Sequence, residues 1–122
     1  MANVHMVVGL LVVLAFLVLT VANIVALRRG KPIPWVRTLS MVAAALLVIQ
    51  YALGFSLLGE GHRNKTAHYV LALLPILTVG FEHGFARQQP TERGRIRWSA
   101  IANALTFILV LAAYGVGESG AS

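Results

Sequence analysis

The sequence predicts an all-α membrane protein: one domain spanning residues 1–122, folded as an up-down bundle of four transmembrane helices. Three observations lead there. First, the 122 residues are 58% hydrophobic and only 11% charged, with a mean hydropathy of +0.80. A soluble domain carries about a quarter charged residues, so this chain has too few to cover its own surface in water. Second, its apolar residues fall into four stretches of roughly 20, each long enough to cross about 30 Å of hydrocarbon as a helix. Third, eight of the ten Lys and Arg residues lie in just two of the connections. The stretches are continuously apolar rather than alternating, which favours helices over a barrel.

The four spans are residues 6–27, 38–59, 66–86 and 98–117. The first is bounded by Arg28 and Arg29; no positive region precedes it, and it is too long for the apolar core of a signal peptide. The second lies between Arg37 and Glu60. The third contains His68, Pro75, Glu82 and His83, and the proline predicts a kink. The fourth runs from Trp98 to Gly117. Connection 28–37 carries Arg28, Arg29, Lys31 and Arg37; connection 87–97 carries Arg87, Arg93, Arg95 and Arg97. The connection between spans two and three has only Arg63 and Lys65, beside Glu60. Positively charged connections stay inside, so 28–37 and 87–97 are expected in the cytoplasm and both termini outside, in the periplasm or extracellular space. Trp35 and Trp98 fit as anchors at the inner boundary, Tyr69 and Tyr114 near the outer one.

The net charge of +6 is therefore a topology signal, and no nucleic-acid partner is expected. Membrane lipid is the expected surroundings, with other membrane subunits as expected partners. With no cysteine there is no disulfide framework, thiolate chemistry or iron–sulfur ligation. No phosphate-binding glycine loop, serine–histidine–acid set or zinc spacing is present.

The chain also repeats itself. Shifted by 63 positions, His5 falls on His68, Trp35 on Trp98, Tyr51 on Tyr114 and Gly54 on Gly117. The expected architecture is two helical hairpins related by a pseudo-two-fold axis along the membrane normal. The match fails elsewhere: Thr20 meets His83.

A histidine in or near a membrane span is costly without a partner or a task. His5 opens span one and His68 opens span three, both at the outer side. In an up-down bundle these spans are diagonal, so two imidazoles at one depth can face each other across the core. That arrangement suits six-coordinate haem iron. Gly9 and Gly54 offer room for a flat macrocycle. His62 is the alternative to His5 as partner of His68, and Arg63 and Lys65 are positioned to pair with propionates. His83 lies about 22 Å along the helix from His68 and about 60° around it, and is the weaker fourth candidate, since no other span carries a histidine at its depth.

Near the inner boundary, Glu82, His83, Asn23 and Asn103 are expected at similar depth, as a polar layer that handles protons or holds a quinone head group, or that simply ties helices together. Alternatively Glu82 reaches across the helix end to Arg87. Gly80 and Gly84 form a small-xxx-small pair that permits close approach of another helix. Gln50 and Thr78 are candidate interhelical hydrogen-bond partners.

Residues 50–86, QYALGFSLLGEGHRNKTAHYVLALLPILTVGFEHGFA, resemble the haem-carrying hairpins of four-helix membrane b-type cytochromes. They resemble most one half of the haem A synthase family: a Q-x3-G at the end of one span, a short outer loop, then a histidine opening the next. The resemblance covers about a third of the chain. It implies a four-helix bundle with haem-ligating histidines near its outer ends, His68 among them. This chain has one such half rather than two, and no histidine in its fourth span, so the resemblance extends to holding haem and not to making haem A.

The function expected is a small haem-b-binding membrane protein in electron transfer, with quinone as a partner, and an electron carrier rather than an enzyme. The alternative is a structural accessory subunit of a larger respiratory or photosynthetic complex. A small exporter fits less well: it needs a carboxylate deep in a span and a weaker charge bias.

Overall fold

The computed structural model describes residues 2–120, and helices are its only regular elements. α1 spans Ala2–Arg29, α2 Val36–Gly59, α3 Thr66–Leu73, α4 Pro75–His83 and α5 Glu92–Gly120, with a 3-10 turn at Ala86–Gln88 before α5. α3, α4 and that turn together form the third span, Thr66–Gln88. All four spans are long and apolar enough to cross a membrane. The chain is thus an all-α four-helix bundle built for the membrane, as its composition predicts.

The ends of the elements follow local chemistry. α2 stops at a glycine cap: Gly61 adopts φ +94°, its N–H bonds Leu58 O at 3.1 Å and the His62 N–H bonds Leu57 O at 3.0 Å. Only glycine takes that backbone turn cheaply. Pro75 divides the third span at Leu74, because it has no N–H to return to the preceding turn. α5 begins six residues before the predicted boundary at 98. The Thr91 hydroxyl accepts the Gly94 N–H at 2.9 Å, capping the helix, and Glu92 in its first turn suits the positive end of the helix dipole.

α1 packs along both α2 and α5, and α5 packs along α3 and α4. α1 and the third span are diagonal. The interior is a narrow stripe of Val12, Phe16 and Leu19 from α1, Ala43 and Leu47 from α2, and Val110 from α5. Large apolar side chains elsewhere face outward, Val48 at 66% and Leu77 at 70% exposure, which suits contact with lipid.

The 63-residue repeat is visible in the burial pattern. Leu47 and Val110 are equivalent and both buried; so are Ala43 and Thr106, and Leu19 and Glu82. Two features break the symmetry. The α1–α5 seam is closely packed, whereas its equivalent, the α2–third-span seam, makes few backbone contacts. And Trp98 packs edge-on against Phe81 and Phe85, while its mate Trp35 is 51% exposed. The Gly80–Gly84 face takes no helix within the chain: a side chain at Gly80 would meet nothing within 4 Å.

Candidate functional site

The end of the bundle that holds both helix termini contains a cavity of about 260 Å³ bordered by His5, Gln50, Tyr51, Gly54, His68 and Tyr114. All four spans contribute to it. The two histidines that the repeat pairs therefore line one space.

Each imidazole is seated the same way. A Cβ added at Gly117 would lie 2.8 Å from Cε1 and Nδ1 of His68. One added at Gly54 would lie 3.2 Å from Cε1 of His5. Both glycines are thus parking places for a ring from the neighbouring helix, and Gly54 is filled by the His5 imidazole rather than left open for a macrocycle. Gly9 likewise faces the Gln50 amide, at 2.8 Å from an added Cβ, and the Tyr114 ring at 3.5 Å.

His68 Nδ1 lies 2.8 Å from Ala113 O. A carbonyl only accepts, so Nδ1 carries the proton and donates. The neutral ring then keeps its lone pair on Nε2. This is the arrangement in which histidines ligate metals: one ring nitrogen held by a backbone carbonyl, the other bare. The repeat equivalent of Ala113 is Gln50. His5 lies against Gln50, yet His5 Nδ1 and Gln50 Oε1 are both buried without a hydrogen-bond partner. His5 thus sits within reach of the backbone and side chain of Gln50 without the close, aligned hydrogen bond that Ala113 O gives His68.

His62 sits on the rim, exposed, in a loop tied down by its neighbours. Arg63 Nη1 donates to Leu58 O at 2.8 Å and to His62 O at 3.0 Å. Asn64 Nδ2 donates to Gly117 O at 3.1 Å, and the Asn64 N–H bonds the Tyr69 hydroxyl at 2.7 Å. Lys65 Nζ reaches Ser119 Oγ at 3.5 Å. Among the described residues no group of three or more His, Cys, Asp and Glu could hold a bare metal ion.

His83 is at the opposite end of the bundle, away from this cavity. There Glu82, 5% exposed, receives Ser99 Oγ at 3.2 Å and Ser40 Oγ at 3.4 Å. Its Oε2 is 3.2 Å from His83 Nε2 and 3.5 Å from Arg87 Nε. Arg87 also donates to Ser40 Oγ at 3.0 Å. Glu82 does reach back to Arg87, but inside the bundle rather than at its surface. Asn23 borders the same recess and donates to Leu19 O at 3.0 Å. The polar layer predicted from sequence does not form as a network: neither Asn23 nor Asn103 makes a hydrogen bond to Glu82 or His83, and Asn103 Nδ2 is buried without a partner. Ser40 and Ser99 take that place. Sequence reasoning passed over them because a serine near a helix start is ordinary. Thr78, one of the predicted interhelical partners, does accept from Thr106 at 2.6 Å.

The glycine seats make a graded prediction. Gly117→Ala drives a methyl group into an imidazole whose position the Ala113 carbonyl fixes, an overpacking worth about 1–3 kcal/mol. Gly54→Ala needs a shift of only a few tenths of an ångström. Thermal unfolding in detergent is expected to show Gly117→Ala as clearly the less stable variant; equal midpoints would rule out the close seating of His68.

Fold and site together define a class: a four-helix membrane bundle with paired histidines in a cavity at one end. Beyond that class, no family model, curated protein or solved structure matches the chain.

Proposed function

We propose that the chain is a small haem-b-binding membrane protein that carries electrons, with His68 and His5 as the residues that would hold the iron. The observation that carries this reading is the pair itself. Two imidazoles related by the internal repeat line one cavity, each resting on an equivalent glycine, and His68 presents a bare Nε2 because Ala113 O holds its Nδ1. The donors fit the group: two imidazoles suit haem iron, and His5 lies beside Gln50, the repeat equivalent of Ala113, where a small rotation would give it the hydrogen bond that His68 has. Bound haem would supply a one-electron ferric–ferrous couple. The chain's own part is to fix the two nitrogens and keep water from the iron with Val12 and Leu47, while Arg63 and Lys65 at the rim favour the negative propionates. His62 is the nearest substitute for His5. The likeness of residues 50–86 to the haem A synthase half-bundle supports the same assignment of His68.

The arginine-rich connections support a cytoplasmic Glu82 end, with the histidine cavity toward the periplasm or exterior. For a quinone partner the support is the recess at the Glu82 end, where Asn23, Ser40 and Glu82 offer hydrogen bonds to a head group and a carboxylate to exchange its proton. A second reading, an accessory subunit of a larger respiratory or photosynthetic complex, is favoured by the unpacked Gly80–Gly84 face, which leaves room for a helix from another subunit.

The test is a dithionite-reduced minus oxidised spectrum of the purified protein in detergent. A sharp b-type band is expected. A folded sample that shows none, even after added haem, overturns haem binding by this chain and leaves the accessory-subunit reading.

A further inference from the structure

The internal symmetry makes each seam of the bundle a control for the other. The α1–α5 seam is shut at the level of the cavity because Tyr114 lays its ring against Gly9, 3.5 Å from where a Cβ would be. At the equivalent place in the other seam, Tyr51 faces Ala72. Tyr51 touches the third span through its hydroxyl, which donates to Ala72 O at 2.6 Å. That is the single side-chain hydrogen bond between α2 and α3 among the described residues. The backbones there stay apart. At the level of the cavity the two seams thus differ in residue type, Ala72 where the other has Gly9.

Three further observations point the same way. Both Phe55 and Leu73 line the cavity at this seam, whereas of their equivalents across the other seam, Glu118 and Leu10, only Glu118 does, although all four are exposed. The third span stays helical through Leu74 (φ −56°, ψ −34°), but Pro75 removes a backbone hydrogen bond there and makes it the weakest turn, at the foot of the eight-residue α3. And a cavity of about 260 Å³ lies below the roughly 300–1,000 Å³ of ordinary ligand sites, too little to enclose a tetrapyrrole, so one edge of such a ligand must lie in a seam.

We infer that the seam between α2 and α3 is the lateral mouth of the histidine cavity: a planar, apolar, tetrapyrrole-sized ligand passes through it edge-on from the bilayer, and the Tyr51–Ala72 contact opens to admit it. The ligand's identity rests on the proposed haem reading; the inequality of the seams does not. Tyr51→Phe removes the tie and leaves the ring. Ala72→Gly gives this seam the glycine of its twin. Both residues line the cavity, so the readout is the rate of uptake, with the final haem occupancy of each variant measured beside it.

The experiment uses the absence of cysteine from the chain. Two double variants are made at repeat-equivalent positions, Phe55→Cys with Leu73→Cys across the open seam, and Leu10→Cys with Glu118→Cys across the closed one. Spin-label distances in ligand-free protein come first, and the 55–73 pair is expected to be longer and broader than the 10–118 pair. Haem uptake from haem-loaded vesicles is then timed with each pair bridged by a bismaleimide. Bridging 55–73 is expected to slow uptake at least tenfold and bridging 10–118 to leave it unchanged. In the unbridged protein Tyr51→Phe is expected to speed it severalfold and Ala72→Gly to slow it. Equal distances, or uptake indifferent to the 55–73 bridge, overturn the mouth. A wider 55–73 distance in a protein that takes up no haem at all supports the open seam and overturns the haem reading instead.

Discussion

His68→Ala is expected to abolish the b-type band. The reason lies in how completely His68 is prepared for ligation. Its ring rests on Gly117, its Nδ1 proton is committed to Ala113 O, and its Nε2 has no partner among the described residues. Removing it takes away the one ligand whose orientation costs nothing to set. The expected loss of haem affinity is a hundredfold or more, about 2.7 kcal/mol or above. His5→Ala is expected to weaken binding less, because the His5 Nδ1 lacks a partner and the exposed His62 stands at the rim to substitute. The measurement is haem titration of the two variants side by side, with added imidazole. Imidazole is expected to restore the band in His68→Gly, where the vacated seat has the shape of the ring. A band that survives in His68→Ala would remove His68 from the site, and a loss in His5→Ala equal to that in His68→Ala would show that His62 does not substitute.

Glu82→Ala is expected to be the most destabilising single change at the arginine end. The carboxylate is buried and gathers Ser40, Ser99, His83 and Arg87 around it. Ser40 belongs to α2, Ser99 to α5, and Glu82 to α4, so one side chain joins three helices. Without it Arg87, whose side chain is 25% exposed, keeps its charge with only Ser40 to receive it. Breaking a fully buried pair costs about 3–5 kcal/mol; with Arg87 partly open to solvent, about 2–3 kcal/mol is expected. Replacement by a similar apolar shape in both partners, Glu82→Leu with Arg87→Met, is expected to recover most of it, since a well-packed apolar pair is often as stable as the ion pair it replaces. Thermal unfolding of the single and double variants in detergent checks this. A double variant as unstable as the single one would show that the serine and histidine contacts, not the ion pair, are what Glu82 provides. Glu82→Gln keeps the shape but replaces one acceptor oxygen by an NH2 group and loses the Arg87 ion pair, so it is expected to be less destabilising than Glu82→Ala, and a loss of quinone reactivity in Glu82→Gln larger than in an equally destabilised Ser99→Ala variant would assign Glu82 to proton handling.

The two ends of the bundle divide the labour of the repeat. At the histidine end the hairpins stay nearly equivalent, down to glycine seats at 54 and 117 and tyrosines at 51 and 114. At the arginine end they diverge: Leu19 is matched by Glu82, and Thr20, which bonds its own helix at Phe16 O, by His83. Under the proposed reading, a repeated unit that holds a symmetric ligand at one end has reason to keep its symmetry there and none to keep it elsewhere.

Much of this was legible in the residues alone. Four spans follow from hydropathy and length, because lipid forces every backbone polar group to be satisfied within its own helix. Pairing His5 with His68 follows from the repeat, since equal offsets place residues at equal depth. Pro75 announced its own kink, whereas the Thr91 cap, on a helix that begins six residues ahead of the expected start, emerged only in the structure. What only the tertiary structure decided are contacts made by groups without a sequence signature. The carbonyl of Ala113 that fixes the His68 proton is a backbone atom present in every residue. The glycines under the imidazoles matter only because particular rings land on them. Ser40 and Ser99 reach Glu82 from 42 and 17 positions away, and the one-methyl difference between Gly9 and Ala72 has meaning only when the two seams are laid side by side. Periodicity and charge act along the chain and show in sequence. Register between helices is set by side-chain packing across them, and that exists only once the chain has folded.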